Sequence, residues 1–202
     1  MSRKVFFSFH FKRDAWRAGQ VRNCDLLADE DEYGVIDSVD WEKLEKEGDA
    51  AIEKWINDQL KYTSVTVVLI GAETAERDWI DYEIRQSWKR GNALLGLRIH
   101  QVKDQNGKTD LRGANPLDRV QLVDGTTLSS VTRTYDWALD DGRNNLGSWV
   151  EDAFQSRANY VGEEELEEPE RTSTSAQSPR IAASERSAGP TIISNPPAPW
   201  SR

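Results

Sequence analysis

One glutamate stands where a helix would otherwise place an apolar residue. Between positions 77 and 90 the side chains Trp79, Ile80, Ile84 and Trp88 recur at helical spacing. They share an arc of about 180° on a helical wheel. Glu83 falls inside that arc, between Trp79 and Ile80. A carboxylate on a core-facing arc is costly unless it is paired or lines a cleft. The helix follows a strand-like run at 65–70 and a turn at 71–75, which places it beside the edge where open α/β sheets bind ligands. Glu83 is therefore a candidate catalytic or substrate-orienting acid. The plainer alternative is a solvated glutamate, or one paired with Arg77 or Arg90.

The elements that must position it are legible in outline. Residues 5–11, Val-Phe-Phe-Ser-Phe-His-Phe, are apolar on both faces, as a central parallel strand requires. Residues 12–23 read as a polar loop leading into a short helix. Residues 24–40 carry the acids of 29–32 and a weak strand at 34–36. A helix follows at 49–62, with Ala51, Ile52, Trp55, Ile56 and Leu60 on its apolar face and Gly48 and Asp49 where a cap belongs. Residues 64–70 form the clearest strand, β-branched and apolar, and 93–99 a third. Residues 100–123 form a loop too long to be mere connection. Leu146, Trp149, Val150, Ala153 and Phe154 have the spacing of a closing helix. Strands alternating with helices predict a flavodoxin-like α/β parallel sheet flanked by helices.

Past residue 160 the composition changes. An acidic run at 163–170 leads into a Ser/Thr/Ala/Pro-rich stretch ending at 202. So little apolar content predicts a disordered acidic, then Ser/Pro-rich tail over 161–202, after a domain spanning 1–160. Residues 163–202 are expected to add almost nothing to a core.

Bulk properties narrow the function classes. The 202 residues are 37% hydrophobic and 30% charged, with net charge −9. An acidic chain argues against general nucleic-acid binding. Residues 1–23 nonetheless hold Arg3, Lys4, Lys12, Arg13, Arg17 and Arg22 against Asp14 alone. A local basic patch of this kind suits a small anionic ligand. One cysteine, Cys24, permits no intrachain disulfide, and two histidines give no metal-site spacing. No 18-residue apolar run and no signal peptide occur, so no membrane partner and a cytoplasmic location are expected. No Gly-x-Gly-x-x-Gly follows a strand and no Gly-x-x-x-x-Gly-Lys-Ser/Thr occurs, which disfavours dinucleotide-dependent redox and P-loop chemistry.

Several segments together resemble the TIR-like proteins of the bacterial Thoeris anti-phage defence system. They are Phe6-Phe-Ser-Phe-His10, then Asp14, Arg17 and Val21-Arg-Asn23, Val68-Leu-Ile-Gly71, Trp79-Ile-Asp-Tyr-Glu-Ile84, Ile99-His100 and Gly113-Ala-Asn-Pro116. The match spans roughly residues 3–158; each motif is weak alone, and their order and spacing carry the specificity. The resemblance implies a Toll/interleukin-1-receptor-type sheet and cleavage of the nicotinamide–ribose bond of NAD. It also implies a cyclic or conjugated ADP-ribose messenger that activates a partner effector protein, with a phage-protein trigger and homo-oligomerisation as further expected partnerships. The family's catalytic glutamate maps onto Glu83. NAD would then be a consumed substrate, with no resident cofactor and no metal.

Beside that resemblance, the strand exit offers Ser8, Phe9, His10 and Phe11 as substrate contacts, a phenylalanine there serving as a stacking face for a nucleotide base. The bland alternative is a core strand. Arg13, Asp14 and Arg17 sit where an arginine fork and free helix N–H groups would hold a pyrophosphate, or form a solvated basic face. Trp79 is the aromatic expected beside the substrate, with Tyr82 pointing to another side of the helix. His10 titrates in the range of a general base, although a lone histidine after a strand is usually structural. A non-enzymatic TIR-like interaction module is the competing functional class.

Overall fold

A computed structural model describes residues 3–23, 38–157 and 166–167. At its centre is β2 (Val65–Ile70), buried at all six positions. It is flanked in parallel by β1 (Val5–Ser8) and β3 (Ala93–Arg98), and β4 (Arg133–Asp136) extends the sheet, giving the order β1-β2-β3-β4. The helices are α1 (Phe11–Arg22), α2 (Ser38–Glu47), α3 (Asp49–Leu60), α4 (Asp78–Lys89), the short α5 (Leu128–Val131) and α6 (Gly142–Arg157). The α/β parallel sheet flanked by helices is as the sequence predicts.

The period-2 alternation of strand side chains divides the core between the two faces. Val5, Phe7, Val65, Val67, Leu69, Leu95 and Leu97 pack with Ala18 and Val21 of α1 and with Leu146, Trp149 and Val150 of α6. On the opposite face, Val68, Ile70 and Leu94 meet Ile80, Ile84 and Trp88 of α4, while Phe6 meets Ile52, Ile56 and Leu60 of α3. Parallel strands covered on both faces must be apolar throughout, which is why β2 and β3 are so readable.

The structure corrects several expectations. No polar loop precedes α1; the helix starts at Phe11, directly after His10 as its N-cap. Its buried positions are Asp14, Arg17, Ala18 and Val21, a helical stripe half made of charged residues, so the hydrophobic period is hidden. The helix α2 is less legible because, among the described residues, only Trp41 and Leu44 of it pack, partly buried, against the α3 cluster. Strand β4 reads Arg-Thr-Tyr-Asp, with only Asp136 buried, and carries no apolar run. The long loop after β3 supplies Leu117, Val120 and Leu122 to the core.

Leu166 is likewise a core residue, 7% exposed, and forms an antiparallel bridge with Leu122. The compact unit runs to Glu168, so Leu166 is one residue of the 163–202 stretch that does join the core. A single leucine inside an acidic run has no periodicity to reveal its burial. The expected strand at 34–36, Cys24 and the rest of the expected disordered tail lie outside the described residues. No helix among the described residues is long and apolar enough to cross a membrane.

Candidate active site

The exit of β1 and the middle of α4 meet on one side of the sheet. Phe6 and Ser8 point to the face covered by α3 and α4, because they alternate with Val5 and Phe7. Ser8 is fully buried, and its Oγ donates to Glu83 Oε2 at 2.5 Å. Glu83 itself is 7% exposed. Burial pushes its carboxyl up to about 8, and the Ser8 hydroxyl, the opposing influence, pulls it back. Neither arginine proposed as its partner takes that role. Arg77 bonds to Glu73 Oε2 at 2.8 Å, and Arg90 to Asn57 Oδ1 at 3.2 Å. Glu83 is thus a buried acid with a hydroxyl partner and no ion pair among the described residues.

Trp79 and Tyr82 stand near Glu83 on α4, whereas Phe9 packs against the core on the opposite face, with Val5 and Phe7. Trp79 is partly buried and meets Tyr82 edge-on, with ring centroids 5.8 Å apart. Tyr82, expected on another side of the helix, packs with Trp79 toward α3, and its hydroxyl accepts a bond from Asn57 Nδ2 at 2.8 Å. Phe9 and Phe11 lie 6.1 Å apart, and Phe11 stacks on Trp41 at 5.9 Å. The row continues to Trp55 of α3. Trp41 lies in a stretch left unassigned from the sequence.

His10 is partly buried at the N-cap of α1. Its Nδ1 lies 3.9 Å from Glu73 Oε2. Burial, then the nearby Arg77 charge, lowers its pKa to about 4, so the ring is neutral near pH 7.

The basic residues that followed form a fastening. Arg13 grips Asp110 through two bonds of 2.9 and 3.0 Å and reaches Glu73 Oε1 at 2.7 Å. Arg17 is 4% exposed. It donates to the carbonyls of Val102 (2.9 Å) and Lys108 (3.2 Å) and to Asp14 Oδ1 (3.2 Å). Asp14 is fully buried and pressed so closely on Gly71 that no Cβ would fit there. Desolvation raises its carboxyl pKa, against the pull of Arg17. Arg13, Asp14 and Arg17 are thereby brought together; the two arginines bond to the loop of 100–112 and the turn at Glu73, while Asp14 Oδ2 is buried against Gly71 with no hydrogen-bond partner among the described residues. Those acceptors, Glu73 and Asp110, were missed in the sequence because pairing across 60 and 97 residues leaves no local mark.

The turn at 113–116 closes over the β2 exit. Gly113 lies against the Gly71 carbonyl with no room for a side chain. Arg98 donates to its carbonyl at 3.0 Å, and Asn115 Oδ1 accepts from the Leu117 N–H at 3.2 Å. A cavity of about 270 Å³ lies elsewhere, among Trp88, Leu94, Leu95, Tyr135, Trp149 and Arg157, and neither Ser8 nor Glu83 lines it. Among the described residues no group of three or more His, Cys, Asp or Glu could hold a metal ion.

Comparison with known proteins identifies the family. Residues 6–104 match the family described as Thoeris protein ThsB, TIR-like domain. That span includes all of β1 but Val5, with α4 and β3. The chain is also 34% identical, over 191 aligned residues, to a Bacillus cereus (strain MSX-D12) protein named "Putative cyclic ADP-D-ribose synthase ThsB1". The alignment covers 74% of this chain and 100% of that relative. With a buried, unpaired acid on α4 held by the exit of the first strand, the chain belongs to the TIR-like Thoeris ThsB family.

Proposed function

We propose that the protein consumes NAD, breaks its nicotinamide–ribose bond and closes the remaining ADP-ribose into a cyclic signal. The observation that carries this reading is Glu83, a buried carboxyl whose hydrogen-bond partner is the Ser8 hydroxyl. The name of the Bacillus cereus relative supports the choice of product class.

The chemistry suits a single acid. The bond to nicotinamide breaks with both electrons leaving on the ring nitrogen, so the cationic ring departs neutral and needs no proton. Positive charge then spreads over the ribose C1 and ring oxygen, as in glycoside hydrolysis. A carboxylate fixed beside that carbon in an apolar setting stabilises the charge more strongly than water would. Ser8 fixes Oε2, which leaves Oε1 for the ribose. Without ligand, Glu83 is largely protonated at neutral pH. A cationic nicotinamide brought alongside favours the ionised form, so substrate charges its own catalyst. Phe11 and Trp41 offer flat faces for a base.

The cyclic product would act as a messenger on a partner effector protein in anti-phage defence. A phage-protein trigger and self-association would govern when it is made. The test is mass spectrometry of purified protein with NAD, alone and in lysate from phage-infected cells. Release of nicotinamide with a cyclic ADP-ribose isomer, lost in Glu83→Gln, is the expected result. No nicotinamide under either condition, with self-association or partner capture intact, would replace this reading by that of an interaction module.

A further inference from the structure

We propose that His10 takes the proton from the substrate hydroxyl that closes the ring, with Glu73 holding its imidazole in the competent tautomer. The proposal rests on the NAD reading above and deepens it. His10 stands two residues beyond Ser8, on the segment that leaves β1 at the Glu83 site. Its Nδ1 is buried without a hydrogen-bond partner, which calls for an explanation in a folded protein. Glu73 Oε2 lies 3.9 Å away, in a carboxylate that Arg13 and Arg77 hold by its two oxygens. A proton on Nδ1 faces that carboxylate favourably. A lone pair there would be repelled by it. The neutral ring therefore carries its proton on Nδ1 and its lone pair on Nε2. Orientation of a histidine by a carboxylate behind its other nitrogen is how such a ring is prepared as a base.

The charged groups around His10 keep it neutral. Lys12 and Arg13 act from α1, Arg77 from the start of α4, and Glu73 from the turn after β2; burial and the three cations outweigh the one acid. The step balances. The C1–nitrogen electrons leave with nicotinamide, and a lone pair of the hydroxyl oxygen forms the new C1–oxygen bond. The hydroxyl proton passes to Nε2, and the imidazolium returns it to solvent. One NAD gives one cyclic product, one nicotinamide and one proton. Water attacking the same carbon gives linear ADP-ribose instead, so His10 governs the partition between the two.

The experiment reads the ratio of cyclic product to nicotinamide released from NAD. For His10→Ala the ratio is expected to fall roughly tenfold or more, with linear ADP-ribose making up the difference, and added imidazole is expected to restore part of it. A folded variant with the wild-type ratio overturns the assignment. So does a fall that imidazole leaves untouched, because the histidine would then be only structural. Should His10→Ala fail to fold, Glu73→Gln, on a side chain that is 36% exposed, decides the matter. It should lower the ratio by roughly threefold or more through loss of the tautomer anchor, and an unchanged ratio overturns the proposal. A wild type that releases no nicotinamide overturns the NAD reading and this step with it; a cyclising wild type with indifferent variants overturns only this step.

Discussion

Ser8 Oγ meets Glu83 Oε2 at 2.5 Å across 75 residues of chain. The first strand and the fourth helix are thereby joined through the one buried acid of α4. The bond offsets part of the cost of burying a carboxyl, and it fixes which oxygen remains for a ligand.

Replacing Glu83 by Gln keeps the volume and an acceptor for Ser8 but removes the negative charge. Nicotinamide release should fall by about 10² to 10³ or more, with the circular dichroism spectrum unchanged. Wild-type turnover in this variant would refute the catalytic assignment.

The same substitution has a pH-dependent effect on stability. The Glu83 carboxyl is raised from 4.5 to about 8 in the folded protein. Between these values the unfolded chain has released the proton while the folded one still holds it, so stability falls as pH rises through this window and levels off above it. At pH 4 both forms are protonated and the cost vanishes. Glu83→Gln should therefore gain on wild type by roughly 3 kcal/mol between pH 5 and pH 8, measured by urea unfolding. Parallel stability curves would contradict the buried, protonated state.

Ser8→Ala removes the bond that opposes the effect of burial, so the Glu83 carboxyl should rise further. Activity needs the carboxylate. The acid limb of the kcat/KM profile should move to higher pH, with a loss of roughly tenfold at pH 7. An unmoved limb would separate Ser8 from the acid.

Arg17 fastens α1 to the loop that follows β3, and it is the hydrogen-bond partner of buried Asp14. Arg17→Met should cost about 3–5 kcal/mol and expose the loop of 100–112 to proteolysis. Arg13, 38% exposed, should cost about 1 kcal/mol or less when changed to Gln. An Arg17 variant that raises KM for NAD without loss of stability would restore the phosphate-binding role expected from sequence.

Leu166→Ala should destabilise by about 2–3 kcal/mol, because its side chain fills the cluster of Leu122, Val120 and Ile80. Truncation after residue 160 should lower the melting temperature in the same direction. An unchanged melting temperature for both would place residues beyond 160 outside the core.

What the sequence determined by itself was local. Apolar runs buried on both faces announce β2 and β3, and helical spacing announces α3, α4 and α6, because each pattern is complete within a dozen residues. The anomaly of Glu83 was visible for the same reason, as a break in its own helix's period. The TIR-like family likeness rested on short motifs whose order survives in the chain. Tertiary structure alone decided which partners those residues keep. It paired Arg13 at the surface with Asp110 and Glu73, turned Arg17 inward onto two loop carbonyls, and gave β4 a place although its residues are polar. It also brought Ser8 to Glu83 and Leu166 to Leu122. Such pairings depend on how the chain returns on itself across tens of residues, and no local period records that path.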